Sequence, residues 1–189
     1  MASLPVKAPT NLIRIPKTRQ STNYTCGVAA LQSILYYFGD EFREDRLAEK
    51  LKSGPDWGTA YTDIVEFSES LGYEVHAKVG WTLEELKKAI DSNHPVIVAF
   101  QAWPDEVPSD WKLLQEDGHY AVVIGYDDNN IFLMDPSTLG NYTYIPQLEF
   151  MDRWHDVDGR DETLHVEQLG LEIWKSQPKY DPDEILRLQ

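Results

Sequence analysis

The chain of 189 residues carries one cysteine, Cys26, and five histidines. A thiol within reach of an imidazole is the minimal equipment for nucleophilic attack on an acyl group. Cys26 ends the polar, irregular stretch Gln20-Ser21-Thr22-Asn23-Tyr24-Thr25-Cys26, and helical spacing begins directly after it. A helix start presents unpaired N–H groups and the positive end of the dipole, which together favour a thiolate. An isolated cysteine is ordinarily just a small buried apolar residue. The polar neighbourhood, and a following Gly27 that lets another segment approach the backbone, favour the nucleophile.

Four of the histidines read as surface or packing residues: His76 in mid-strand, His94 before Pro95, and His155 and His165 flanking an acidic stretch. His119 differs, because it opens an otherwise apolar strand between Gly118 and Tyr120, and the return strand ends in Asp135. An acid placed there could orient the imidazole, and strand parity decides whether the two meet. A hairpin loop of odd length, such as Asp127 to Asn129, sets His119 opposite Ser137 and leaves Asp135 as its diagonal neighbour, about 7–8 Å away on the same face. An even loop sends Asp135 to the other face, and Asp135-Pro136 is then a turn at a strand end.

The elements that must position these groups follow from periodicity. Ala29, Ala30, Ile34, Tyr37 and Phe38 predict a first helix from about Thr25 to Phe38, capped by Gly39. Helices over Glu44–Lys52 and Tyr61–Leu71 follow, then a strand over Tyr73–Val79. Thr82 and Glu85 form a capping box for a helix over Leu83–Asp91, and Pro95–Gln101 is an apolar run suited to a buried strand. A loop rich in Trp, Pro and acid (Ala102–Asp117) leads to strands Gly118–Tyr126 and Ile131–Asp135. A short helix near Gln147–Trp154 and a last strand or hairpin within Leu164–Lys175 complete the pattern. Helices first and antiparallel strands afterwards predict an α+β fold in one domain over residues 1–189.

Composition bounds the partners. Thirty-two Asp and Glu against 17 Lys and Arg give a formal net charge of -15, a field that repels phosphate backbones and anionic membranes. One cysteine makes neither an intramolecular disulfide nor a Cys-rich zinc site, and no stretch has a membrane span's length or a secretory signal's apolar run. A reducing, cytoplasmic setting is expected. The acidic stretch Asp156–Glu162 lacks full EF-hand spacing, so it reads as solvated rather than as a calcium loop, and no metal or cofactor is required.

Three segments taken in order carry a resemblance: Q-S-T-N-Y-T-C-G-V-A-A-L (Gln20–Leu31), G-H-Y-A-V-V-I-G-Y-D (Gly118–Asp127) and I-F-L-M-D-P (Ile131–Pro136). They resemble the bacteriocin-processing double-glycine cysteine peptidases and their stand-alone relatives, within the papain-like superfamily. The likeness covers roughly Ile15 to Pro136 and leaves 137–189 as a C-terminal extension of the same domain. It implies Cys26 as nucleophile, His119 as base, Asp135 as orienting acid and Gln20 as side-chain donor to an oxyanion hole. It also implies a papain-like fold in which a helical part packs against an antiparallel sheet. Val28 stands where the family often has Pro, a helix-start position that tolerates either residue. No P-loop motif is present, so cleavage after a double glycine does not carry over.

The expected reaction is hydrolysis of a peptide or amide bond through a thioester, on a peptide or protein substrate. Acyl transfer by the same Cys–His–Asp set, or a catalytically silent peptide-binding module, are the alternatives. Gly27 and Gly118 flank the reacting groups, and Trp103 and Trp111 either wall a substrate cleft or pack in the core or on the surface.

Overall fold

The structure is a computed structural model and describes residues 6–106, 108, 110–157, 160 and 164–188. The first helix, α1, spans Cys26–Phe38, and all of it except Tyr36 is buried. It ends at Gly39, whose N–H bonds the Tyr36 carbonyl and whose φ of 91° turns the Asp40 N–H onto the Leu35 carbonyl at 2.8 Å. Helices α2 (Glu44–Lys50) and α3 (Tyr61–Ser70) pack beside α1, completing the helical part. Strand β1 (Glu74–Lys78) and helix α4 (Leu83–Asp91) follow. The predicted capping box of α4 is complete, with Thr82 Oγ1 accepting from the Glu85 N–H and the Glu85 carboxylate accepting from the Thr82 N–H.

Seven further strands complete two antiparallel sheets. They are β2 (Val96–Gln101), β3 (Gly118–Tyr126), β4 (Asn130–Met134), β5 (Thr143–Pro146), β6 (His155–Val157), β7 (His165–Glu167) and β8 (Gly170–Trp174). Six form one sheet in the order β1-β8-β2-β3-β4-β5, and β6 pairs with β7 in the other. The short helix α5 (Gln147–Arg153) links β5 to β6. Every residue of β2 is buried, because this central strand, flanked by β8 and β3, also has α4 and β6 packed against it, which is why its sequence is a continuous apolar run rather than an alternation.

The C-terminal region departs from the expected last strand or hairpin. Within Leu164–Lys175 there are two strands that do not pair with each other: β7 turns back on β6, while β8 inserts between β1 and β2. Residues after the α5 helix therefore help build the main sheet. Strand β5 and strand β6 were not expected, since Thr143–Pro146 is short and His155–Val157 is too polar to read as a strand.

The hairpin that positions the site also differs in mechanism from the expectation. Tyr126 pairs with Ile131, so the loop is Asp127–Asn130, of even length, tightened by Asp127 Oδ1 accepting the Asn129 and Asn130 N–H bonds. By parity alone that loop sends Asp135 to the wrong face. A β-bulge between Val123 and Gly125 inserts one extra residue, so that Val122 pairs with Met134 and the register, continued, sets Asp135 opposite Ala121. Asp135 thus regains the face of His119. The extra residue, Ile124, is not left unsatisfied: its carbonyl accepts the Ile13 N–H at 2.7 Å.

Candidate active site

Cys26 is the first residue of α1, held in place by the turn before it. The Thr22 and Thr25 hydroxyls bond each other, and the Tyr24 N–H reaches Thr22 Oγ1, so the irregular polar stretch is a hydrogen-bonded loop. At Gly27 a Cβ would come to 3.0 Å from Thr59 Cβ and 3.1 Å from the Tyr120 ring, so the helix start and β3 approach as closely as a side-chain-free position permits. That contact brings the cysteine and histidine regions together. Cys26 itself is 9% exposed.

His119 lies on the second residue of β3, cross-strand from Phe100, whose ring packs edge-on against the imidazole. Its Nε2–H donates to Asp135 Oδ1 at 2.8 Å, and both side chains are almost fully buried. Cys26 also acts on the ring, by hydrogen bonding and by charge, and with Nε2 committed to Asp135 the second ring nitrogen is Nδ1. Burial alone disfavours a charged ring, but Asp135 and Cys26 outweigh it and lift His119 from 6.5 to about 9. Burial likewise opposes ionisation of Asp135. Bonds from His119, from the Ser137 N–H (2.8 Å) and from the Thr138 hydroxyl (3.0 Å) nevertheless hold its carboxyl below the usual range.

Gln20 is fixed at both ends of its amide. Nε2 donates to the Thr22 carbonyl at 2.7 Å, Oε1 accepts from the Ser137 hydroxyl at 2.9 Å, and the Gln20 N–H reaches the Pro136 carbonyl at 3.1 Å. The loop before Cys26 is thereby tied to the residues just after Asp135. Of the two amide N–H bonds, one goes to Thr22. So Gln20, Cys26, His119 and Asp135, spread over more than a hundred positions of sequence, meet at one end of α1 and the sheet.

Trp103 and Trp111 line a cavity of about 620 Å³ that also borders Asp135, with Phe100, Tyr142 and Arg153 in its wall. Trp103 is 61% exposed and holds a φ of 64°, a conformation a bulky residue adopts only under constraint. The Trp111 ring, on a single 3₁₀ turn (Trp111–Leu113), is covered by the Arg153 guanidinium at 3.4 Å. Gly118 is crowded for a different reason: the Asp156 carboxylate occupies the space its side chain would need. Sequence reasoning missed Asp156 and its buried partner Gln101. The one sequence signal was a glutamine closing an apolar run, a polar group that needs a partner once buried.

The remaining histidines are packing or surface residues. His155 is buried with Nε2 on the Leu114 carbonyl, His76 and His94 share Glu172, and His165 is exposed. The acidic stretch 156–162 falls largely outside the described residues, at 158, 159, 161 and 162. Among the described residues no group of three or more His, Cys, Asp or Glu is placed to hold a metal ion, and no helix is long and apolar enough to cross a membrane.

A helix-start thiol facing a sheet-borne imidazole and carboxylate, on helices packed against an antiparallel sheet, defines the papain-like fold class. Comparison narrows the class. Residues 12–161 match the Peptidase_C39 like family, and the chain belongs to that family. It is 32% identical over 133 residues to the transport/processing ATP-binding protein ComA of Streptococcus pneumoniae, a match covering 70% of this chain but 16% of that protein. It is also 32% identical over 119 residues to an uncharacterized protein of Methanothermobacter marburgensis, covering 63% of this chain and 70% of that one.

Solved structures share the fold at lower identity. The peptidase domain of Streptococcus ComA superposes with a TM-score of 0.61 at 22% identity, covering 82% of this chain and 95% of that one. A C39-like peptidase from Bacillus anthracis reaches 0.64 at 16% identity (89% and 98% covered). A double glycine motif protease from an AMS/PCAT transporter, solved with its leader peptide, reaches 0.60 at 17% identity (86% and 92% covered).

Proposed function

We propose that this chain is a cysteine peptidase that hydrolyses a peptide or amide bond through a thioester on Cys26. The observation that carries the reading is the buried His119–Asp135 bond at 2.8 Å, which commits Nε2 and leaves Nδ1 for the Cys26 thiol, whose hydrogen bonding and charge also act on the ring. In the proposed sequence His119 holds the thiol proton, and the Cys26 sulfur attacks the substrate carbonyl carbon to form the C–S bond. The Cys26 backbone N–H and the second N–H of Gln20 receive the oxyanion, each such donor being worth about 3–4 kcal/mol in acyl-transfer enzymes. His119 then gives its proton to the leaving nitrogen as the C–N bond breaks, and activates the water that releases the acyl group.

A peptide substrate is supported by the related double glycine motif protease, which was solved holding a leader peptide. The Trp103–Trp111 cavity beside Asp135 would take an apolar side chain of that peptide.

The test is incubation of the protein with a mixture of defined peptides, followed by mass spectrometry of both peptides and protein. The wild type is expected to generate new peptide termini and to carry a transient acyl mass on Cys26, and Cys26→Ser to do neither. Products joined to an added amine instead of water would select acyl transfer. Equal cleavage by wild type and Cys26→Ser would overturn the reading.

A further inference from the structure

Beside the line described above lies a second buried polar cluster that the proposed reaction leaves unused. Asp156, on β6, presses its carboxylate against Gly118, the residue before His119: a Cβ built there would overlap Asp156 Oδ1 and sit 2.5 Å from Oδ2. Oδ1 accepts the Gln101 Nε2–H at 3.1 Å and the Val157 N–H at 2.8 Å. Gln101 is fully buried, and its Oε1 accepts the Asp117 N–H at 3.1 Å while Nε2 also reaches the His155 carbonyl at 3.3 Å. The carboxylate and the amide thus hold both residues, Asp117 and Gly118, that lead the chain into His119. Position 118 needs glycine because a carboxylate fills its side-chain volume, and its backbone needs no left-handed conformation.

We propose that Asp156 is a positioning residue of the same site: clamped by Gln101 against Gly118, it aims the first residues of β3 and supplies a second negative charge in range of the His119 ring. The proposal rests on the reading of His119 as the base for Cys26. The ionisable groups acting on Asp156 are its neighbour His155 and, across on β3, His119; from β2 it meets uncharged Gln101, and from β7 it pairs with Val166. Burial raises the Asp156 carboxyl to about 6, against the opposing pull of Val157, Gln101 and those two histidines. Above that pH it is ionised and favours the imidazolium, and below it that support is withdrawn.

Asn at 156 keeps an acceptor for Gln101 and Val157 and removes only the charge, so Asp156→Asn separates electrostatics from packing. The experiment is an NMR titration of the His119 ring in the wild type, Asp156→Asn, Gly118→Ala and Cys26→Ala. In the wild type the ring signals should show a minor step near the Asp156 ionisation in addition to their own midpoint. Asp156→Asn should abolish that step and lower the midpoint by a few tenths of a pH unit, about the effect of losing a more distant opposite charge while Asp135 and Cys26 still dominate the ring. Gly118→Ala, which displaces the carboxylate, should lower the midpoint in the same direction, and combining the two substitutions should add nothing further. Cys26→Ala tests the reading beneath: if it leaves the midpoint where it was, the thiol–imidazole pair is wrong. If Cys26→Ala lowers the midpoint while Asp156→Asn and Gly118→Ala leave it in place, the pair stands and the role of Asp156 is refuted.

Discussion

His94 bonds Glu172 at 2.7 Å and His119 bonds Asp135 at 2.8 Å, so by length the pair far from the cysteine is the tighter of the two. Each pair is anchored on the same six-stranded sheet by one member, Glu172 on β8 and His119 on β3. They differ in surroundings. Glu172 divides itself between His94 and His76, His94 stacks on Trp174, and the His94 side chain remains 25% exposed. Asp135 serves one imidazole, takes two further bonds from Ser137 and Thr138, and the His119 side chain is 7% exposed with a thiol as its other partner. A histidine bonded to a carboxylate is a common device for holding strands together. Burial, a committed Nε2 and a thiol acting on the ring are what fit the His119 pair for the proposed chemistry.

The contrast can be broken most severely by removing each imidazole in turn. His119→Ala is expected to lower peptide cleavage by about 10²–10⁴-fold, the usual worth of a positioned acid–base group, while His94→Ala leaves the rate unchanged. Comparable losses in both would erase the distinction. Gln20→Ala sharpens it from the helical side: with one oxyanion donor gone, kcat should fall by about 10²–10³-fold with KM little altered. An unchanged kcat would restrict Gln20 to its structural bonds with Thr22 and Ser137.

Stability should separate the two carboxylates next. Asp135→Ala strands a buried imidazole and is expected to cost about 3–5 kcal/mol by urea denaturation, whereas Glu172→Ala, at a partly exposed pair, costs about 1 kcal/mol or less. The pH dependence follows from the raised ionisation of His119. Its partners stabilise the fold fully below the ordinary value of 6.5, and that contribution is lost as pH rises through about 9. The urea midpoint of the wild type should therefore fall relative to His119→Gln between pH 6.5 and 9.5. A constant difference across that window would contradict the pairing.

Much of the fold is legible in the residues themselves. Helical spacing with Gly39 marks α1, the Thr82–Glu85 box marks α4, and the apolar run Val96–Gln101 marks a strand covered on both faces. The pairing of His119 with Asp135 was legible as a possibility of parity, and the structure realises it through a bulge at Ile124 instead of an odd loop. A bulge leaves no mark in hydrophobic alternation within a strand as uniformly apolar as Ala121–Ile124, and its partner, the Ile13 N–H, is over a hundred residues away. Separation in sequence also hid Asp156, which looks solvated within an acidic stretch but fills the space that Gly118 leaves beside its backbone. β8 was ambiguous for a related reason: a five-residue strand signals neither which neighbours it joins nor that it will lie between β1 and β2.

The proposed chemistry requires that His119 hold the Cys26 proton and leave the sulfur as a reactive thiolate. Its most direct measure is the rate at which iodoacetamide alkylates Cys26, followed by intact mass from pH 4 to 10 in the wild type and in His119→Ala. Wild-type labelling is expected to be fast and to persist well below the pH at which a free thiol loses reactivity, and His119→Ala to react more slowly with an ordinary thiol profile. Superimposable profiles for the two proteins would contradict it.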